Sequence, residues 1–414
     1  MVNHSTHGYN IYIVPIFINF FMIKNINNKN LIYFYDKDIE KNVLGVSITV
    51  GSINDKKNQE GITHIVEHCI SRILKDRLGK HVEIKTLTYK ERTYYEIVFN
   101  KLTKKTLEEV FNIFSFDLKT MLEIKNYLNI EKRVVLEEIS YEENDYFKNF
   151  FNKSNEKILK KTNFAINTLG KRESIKKIKQ EDIKCFIEEN YIRDNIFFVV
   201  YSSIYGSEIK NKYREKYKNN FSKKIVSLQK TDIEKVLNIK NKKIKIDGKI
   251  NFCSLIYIIS NKKREDKTKI MFISSILNDL FVEKIRRETG YSYDVEVATT
   301  FFNNFSIMDF NSSFSTNYKK ITEIFINILK NFKMDKNVFD NKKKEIINSL
   351  KRTNSNAKSF VSYVSYGIIS SNEFIYPNEE IEFLQKLKAN DLKRFFDKNI
   401  KKNTPFILYS TKKY

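Results

Sequence analysis

Two stretches of this chain read as copies of one another, and that repeat constrains the fold more than any other feature. IKKIKQEDIKCFIEENYIRDNIFFVVYS begins at Ile175 and LQKLKANDLKRFFDKNIKKNTPFILYS at Leu384. Ile178 and Leu387, Asp182 and Asp391, and Phe186 and Phe395 each stand 209 residues apart, while Tyr201 and Tyr409, after one deletion, stand 208 apart. Each copy has apolar residues at helical spacing, then a short turn, then an apolar run of strand length. Each would close one structural unit of ordinary domain size. A chain of 414 residues, 41% of them hydrophobic, is long enough to bury two such cores. The expected organisation is an N-terminal unit at 1–220, a lysine-rich linker poor in apolar residues at 221–240, and a C-terminal unit at 241–414.

Patterning within the first unit predicts a strand hairpin near 16–36, a strand near 43–51, a helix near 61–77 and a strand pair near 81–100. Helices near 104–116, 126–147 and 174–191 and a strand at 195–202 follow. The second unit reads as strands near 240–261, a helix at 268–288, strands at 292–316, helices near 318–332, 336–352 and 381–398, and a strand at 405–410. The fold class is α+β: two homologous tandem units, each a sheet with helices packed on one face.

The helix expected at 61–77 carries His64-Ile65-Val66-Glu67-His68, the pattern H-x-x-E-H. The chain has only five histidines (His4, His7, His64, His68 and His81), so chance supplies only ~0.007 such matches. His64 and His68 lie one helical turn apart on one face, where two imidazoles can hold one Zn²⁺. Glu67 sits beside them, placed to take the proton of an attacking water. The competing reading is a polar helix face with Glu67 as an ordinary ion-pair partner.

A catalytic zinc site takes three protein ligands and keeps one position open. His4 and His7 precede the first apolar run, and His81 reads as a strand-end residue. Better candidates lie in NIEKRVVLEEISYEENDYF, where Ile130, Val134, Val135 and Ile139 form a helical apolar stripe. Glu131 and Glu138 share a face two turns apart. Glu137, Glu142 and Glu143 are rivals, and the residues alone do not choose among them.

These residues together resemble the pitrilysin/insulinase family of zinc metallopeptidases, which includes the mitochondrial processing peptidases. VSITVGSINDKKNQEGITHIVEH is similar to that family's strand and zinc helix, and EKRVVLEEI, with Glu138 70 residues after His68, to its third-ligand segment. The resemblance implies His64, His68 and Glu138 as zinc ligands, Glu67 as general base, and Glu131 as the carboxylate supporting the ligands from behind. FVEKIRRETGYSYDV resembles the family's Arg/Tyr segment. It implies that Arg286 and Tyr293, around Gly290, hold the substrate carbonyl and its oxyanion, with Arg287 as a rival in register. The alternative for this segment is a glycine-capped helix end followed by a strand aromatic. VEIKTLTYKERTYYEIVFN resembles the substrate-pairing strand, implying substrate contacts from Lys85, Thr86 and Thr88. Here the sequence departs from the family, because Lys85 stands where an Asn is usual. The stronger reading of Lys85 by itself is a solvated edge-strand lysine, which blocks aggregation.

The resemblance covers nearly the whole chain and implies half of a clamshell. Its partner would be a second copy or a related half-size chain, and the substrate a short or unfolded peptide, such as a precursor or leader. The expected activity is zinc-dependent endopeptidase cleavage; the alternative is a non-catalytic peptide-binding subunit of a hetero-oligomeric processing peptidase. Advancing the motif by the repeat period lands on Ile273, Ile276 and Leu277, so the second unit is expected to hold no metal.

The net charge of +24 is spread along the chain and interleaved with Glu, so it implies no nucleic-acid patch. No apolar run is long enough for a stable membrane span; YNIYIVPIFINFFMI at 9–23 is broken by Asn10, Pro15 and Asn19. Cys69, Cys185 and Cys253 make no disulfide framework, and a reducing cytoplasm is expected.

Overall fold

The computed structural model describes residues 30–217 and 242–412, apart from 262, 316, 372 and 373. The first part of the expected hairpin, the apolar stretch at 9–23 and the expected linker lie outside the described residues.

The architecture is α+β, as the patterning implies, and the two sheets are built alike. The first contains β1 (Leu31–Tyr35), β2 (Asn42–Ile48), β3 (Glu83–Thr88), β4 (Thr93–Phe99) and β5 (Ile196–Ser202), in the order β1-β5-β2-β4-β3. The second contains β6 (Lys243–Lys245), β7 (Phe252–Ser260), β8 (Val295–Phe301), β9 (Phe305–Ser313) and β10 (Phe406–Ser410), in the order β6-β10-β7-β9-β8. In each sheet only the first strand runs parallel to its neighbour. The repeat seen at Ile175 and Leu384 is thus the end of a duplication of the whole unit.

The helices repeat too. In the first unit they are α1 (Ile62–Leu78), α2 (Lys104–Ile113), α3 (Leu118–Asn144), α4 (Tyr146–Leu159), α5 (Arg172–Lys177), α6 (Gln180–Asn190) and α7 (Gly206–Tyr217). In the second they are α8 (Arg264–Phe281), α9 (Tyr318–Asn331), α10 (Lys336–Asn354), α11 (Ala357–Ser371), α12 (Pro377–Lys386) and α13 (Ala389–Phe396). The helix expected at 174–191 and that expected at 381–398 are each broken in two, at the same repeat position. Ile178 and Leu387 are extended, and the next helix restarts where Asp182 accepts from the Lys179 amide (2.8 Å) and Asp391 from the Lys388 amide (3.3 Å). The helix expected at 126–147 starts earlier, capped by Asp117 on the Thr120 amide (2.9 Å), and ends at Asn144. The one expected at 268–288 gives way after Phe281 to a π-helical turn over Val282–Arg287.

Each sheet packs its own helices on one face and borrows a helix from the other unit for the opposite face. Phe150, Ile158 and Leu159 of α4 bury against Phe252, Ile256, Phe305 and Leu408 of the second sheet. Phe360, Val361, Val364 and Ile368 of α11 bury against Ile32, Val43, Val98 and Val199 of the first. α4 and α11 follow α3 and α10 in the two copies, so the exchange is reciprocal. Gly45 in β2 makes room for it: a Cβ there would come within 2.6 Å of Ser365 Oγ and 2.8 Å of Val361 Cγ1. Neither α4 nor α11 stands out in the sequence. α11 reads AKSFVSYVSYGIISS, rich in Ser, β-branched and aromatic residues with weak helix propensity, and packing between units overrides it. Among the described residues, no helix is long and apolar enough to cross a membrane.

Asp309 lies buried in β9, where it accepts a hydrogen bond from Ser254 Oγ. Burial raises its carboxyl to about 7, with the Ser254 bond opposing. The native state therefore holds this proton more tightly than the unfolded chain. The stability from this site is complete below the ordinary carboxylate range and is lost as pH rises toward 7. Asp309→Asn should gain stability over the parent across that window, by on the order of 2 kcal/mol at pH 8. Urea denaturation at pH 5 and pH 8 checks this: an advantage independent of pH would contradict it.

Candidate metal centre

α1 begins at a crowded junction. Gly61 has φ 98°, and a Cβ there would meet the Leu169 carbonyl oxygen at 2.7 Å and Gly170 Cα at 3.0 Å. The buried Asp55 carboxylate accepts from the Gly61 amide (2.6 Å), the Thr63 amide (3.3 Å) and the Thr63 hydroxyl. These bonds, with the Ile62 amide donating to the Gln59 carbonyl (3.0 Å), satisfy amides at the helix start and set its phase one residue before His64.

That phase turns His64, His68 and Arg72 toward α3, which presents Glu138 and Glu131 in return. His64 Nε2 lies 3.6 Å from Glu138 Oε2, and His68 Nε2 lies 3.5 Å from Glu138 Oε1. Glu67 Oε2 is 3.6 Å from His64 Nε2. Behind the cluster, His68 Nδ1 meets Glu131 Oε2 at 3.2 Å, and Glu131 takes its other bond from Arg72 Nε. The rivals on α3 face elsewhere: Glu142 meets Asn152 (3.1 Å) and Lys148 (3.5 Å), Glu143 pairs with Arg172 (2.7 Å), and Glu137 is exposed. His81 lies outside the cluster, and Cys69 points to the Ile124 carbonyl.

The donor types suit zinc, and among the described residues the group compact enough to hold a metal ion is His64, Glu67 and His68, with Glu138 meeting both imidazoles through different oxygens. Ligating atoms of His64, Glu67 and His68 lie within 4.8 Å of one another. The imidazole-to-Glu138 separations are close to the ~3.4 Å expected between ligands that each stand ~2.0–2.1 Å from such an ion. Both Nε2 atoms and a carboxylate therefore point into one small volume.

The local electrostatics separate the two histidines. Burial, with the charge of His68 adding to it, pushes His64 down to about 4. Burial works against charge on His68 as well, but Glu138, Glu67 and Glu131 outweigh it and raise His68 to about 9. The His68 hydrogen bond holds Glu138 below the usual carboxylate range, against the effect of burial. Glu67 goes the other way: burial raises it, opposed by His68 and by hydrogen bonds from Thr86 and Thr88. The Thr88 hydroxyl donates to Glu67 Oε2 at 3.2 Å.

The remaining expected site residues divide by position. Thr86 and Thr88 alternate along β3 toward α1 and meet Glu67. Lys85 pairs in register with Glu96 and shares its face, opposite to Thr86 and Thr88. The guanidinium of Arg286 lies over the Tyr293 ring at 4.4 Å, whereas Arg287 pairs with Glu283 at 2.8 Å. Gly290, at φ 65°, ends the turn between them. Arg286 and Tyr293 line a cleft of about 990 Å³ with Phe147, Phe151, Ser274 and Asn278, and none of the clustered histidines or glutamates belongs to that lining. Ile273, Ile276 and Leu277 are buried in the second core, so the repeat has apolar packing where the motif projects. Sequence reasoning missed Asp55 and Arg72. Arg72 had a signal, since it stands four residues after His68 on the same helical face.

Comparison with known proteins places the architecture. Solved structures similar to this chain include a protease from Helicobacter pylori, with TM-score 0.77, 14% identity and coverage of 93% of this chain and 98% of that one. An M16-like peptidase from Alicyclobacillus acidocaldarius gives TM-score 0.76, 12% identity and 96% and 99% coverage. The fold is that of M16-like peptidases. Pitrilysin also matches, with TM-score 0.65, 14% identity and 95% of this chain, but only 46% of that protein. Residues 177–346 match the family described as the peptidase M16 inactive domain. No curated protein matches the chain.

Removing Asp55 leaves the Gly61 amide and the Thr63 hydroxyl buried without this acceptor. Asp55→Ala should cost about 2–4 kcal/mol. Denaturant unfolding measures it, and a loss under about 0.5 kcal/mol would show the cap to be dispensable.

Proposed function

We propose that this protein is a zinc-dependent endopeptidase acting on short or unfolded peptides, such as a precursor or leader. The observation carrying this reading is the convergence of His64 Nε2 and His68 Nε2 on the Glu138 carboxylate, with buried Glu67 alongside. His64, His68 and Glu138 would hold the ion. Zinc bound there would polarise the scissile carbonyl and lower the pKa of water toward ~7.

The chain's own residues supply the rest. Glu67 is the general base: burial raises its proton affinity, and hydrogen bonds from Thr86 and Thr88 orient its carboxylate. It takes the proton of the attacking water and delivers it to the leaving amine. Glu131 holds His68 through Nδ1, which leaves Nε2 free to ligate. Among the described residues β3 is the edge of its sheet and offers unpaired backbone groups beside Glu67, where an extended peptide can add as a further strand. Lys85 faces away from Glu67, so we assign it to contacts along the outer side of that strand.

This chain spans about half of pitrilysin, which supports pairing with a second copy or a related half-size chain. Arg286 and Tyr293 line a cleft apart from the histidine cluster. We therefore assign them to the oxyanion site of the facing half. A chamber closed in this way admits flexible peptides and excludes folded proteins.

A second reading, a non-catalytic peptide-binding subunit, draws on the match to the inactive-domain family. That match begins at Lys177, beyond Glu138, and so concerns mainly the second unit. Metal analysis separates the readings, with about one zinc per chain expected for the enzyme and none for the subunit. In peptide-library digestion read by mass spectrometry, Glu67→Gln should keep the zinc and lose cleavage by at least about a hundredfold. A variant cleaving at the parental rate would remove Glu67 from its role.

A further inference from the structure

The polar contact between α1 and α3 extends past the cluster by residues that the zinc reading does not use. Arg72 follows His68 by one turn of α1. Its Nε donates to Glu131 Oε1, while Glu131 Oε2 faces His68 Nδ1 at 3.2 Å. The guanidinium also lies 5.4 Å from the centre of the Tyr127 ring, and the Tyr127 hydroxyl donates to Asp76 Oδ2 at 2.8 Å. Asp76 is one further turn along α1. Arg72 is therefore held from two sides, by a carboxylate and by a ring that is itself anchored.

We propose that Arg72 is a positioning residue for zinc, locking the Glu131 carboxylate in the orientation that fixes the His68 ring. The proposal rests on the zinc assignment to His64, His68 and Glu138. Glu131 is buried, and among the described residues its two oxygens have Arg72 and His68 as their hydrogen-bonding side-chain partners. A carboxylate with one anchored oxygen has a single orientation to offer the other partner. Without Arg72 the group can turn about its last bond, and the His68 ring loses its fixed support. The guanidinium suits this task because it is planar and always charged, and it packs its face on an aromatic ring while donating in its plane. Lysine could supply the charge but not that geometry.

Zinc affinity reads this directly, without reference to cleavage. Chelator competition on the purified full-length chain, at neutral pH and constant ionic strength, should give about tenfold to a hundredfold weaker zinc binding for Arg72→Ala. Arg72→Lys should fall between variant and parent, and Glu131→Gln should be at least as weak as Arg72→Ala. Arg72 has a side chain 39% exposed, and Arg72→Lys keeps a cation beside the buried Glu131, so that variant should unfold within a few degrees of the parent in excess chelator. Arg72→Ala with parental zinc affinity would overturn the proposal and leave the zinc site standing. A fall in chelated-state melting temperature with unchanged zinc affinity would also overturn it, as a purely structural role. A parent that binds no zinc would sink both this inference and the reading beneath it.

Discussion

The contact between α1 and α3 organises the chemistry of this chain. It is an antiparallel pairing whose polar side chains meet rung by rung: His64 and His68 with Glu138, His68 and Arg72 with Glu131, Asp76 with Tyr127, and Arg77 with Glu123. Apolar residues close the same interface, with Ile65, Ile73, Leu128 and Val135 in one core. So many charged groups at a buried helix contact are costly unless each finds a partner. Here each of these polar groups finds a partner on the facing helix, so the pairs favour one register of α1 on α3. The apolar packing gives the contact its stability, and the polar rungs specify its register.

That register is transmitted to the rest of the fold. α1 is anchored at its start by Asp55 and the Gly61–Gly170 junction, so its phase is set from the loop side as well. The edge strand β3 then brings Thr86 and Thr88 against Glu67. Glu67 is thus held from the sheet and Glu138 from α3, although both are carboxylates beside the same imidazoles. The two like groups thus have distinct environments, which arise from two separate structural layers.

Much of this was legible in the residues. The repeat at Ile175 and Leu384 announced two units, and the shared strand order of the sheets extends that duplication to their full length. The spacing of His64, Glu67 and His68 placed all three on one helix face. The choice among the glutamates was not legible from pattern alone: Glu131, Glu138 and Glu142 share one helix face while Glu137 and Glu143 lie well round from it, and the pattern does not say which face meets the partner helix. Family resemblance singled out Glu131 and Glu138, and the packing of α3 on α1 turns those two toward the histidines. The least legible parts were α4 and α11. Their helicity depends on burial against a sheet distant in sequence, which no local window contains. The breaks at Ile178 and Leu387 were hidden because the apolar spacing continues across them.

The exchange of α4 and α11 bears on how such a duplicated chain can change over time. After duplication, two copies that fold separately are free to drift, shrink or be lost independently. Here each copy roofs the other, through Phe150 on one side and Val361 on the other. The second copy has no histidine pair, yet deleting it would strip the cover from the very sheet that supports the first. A copy without the histidine pair thus serves as architecture, and its surface remains available for other uses.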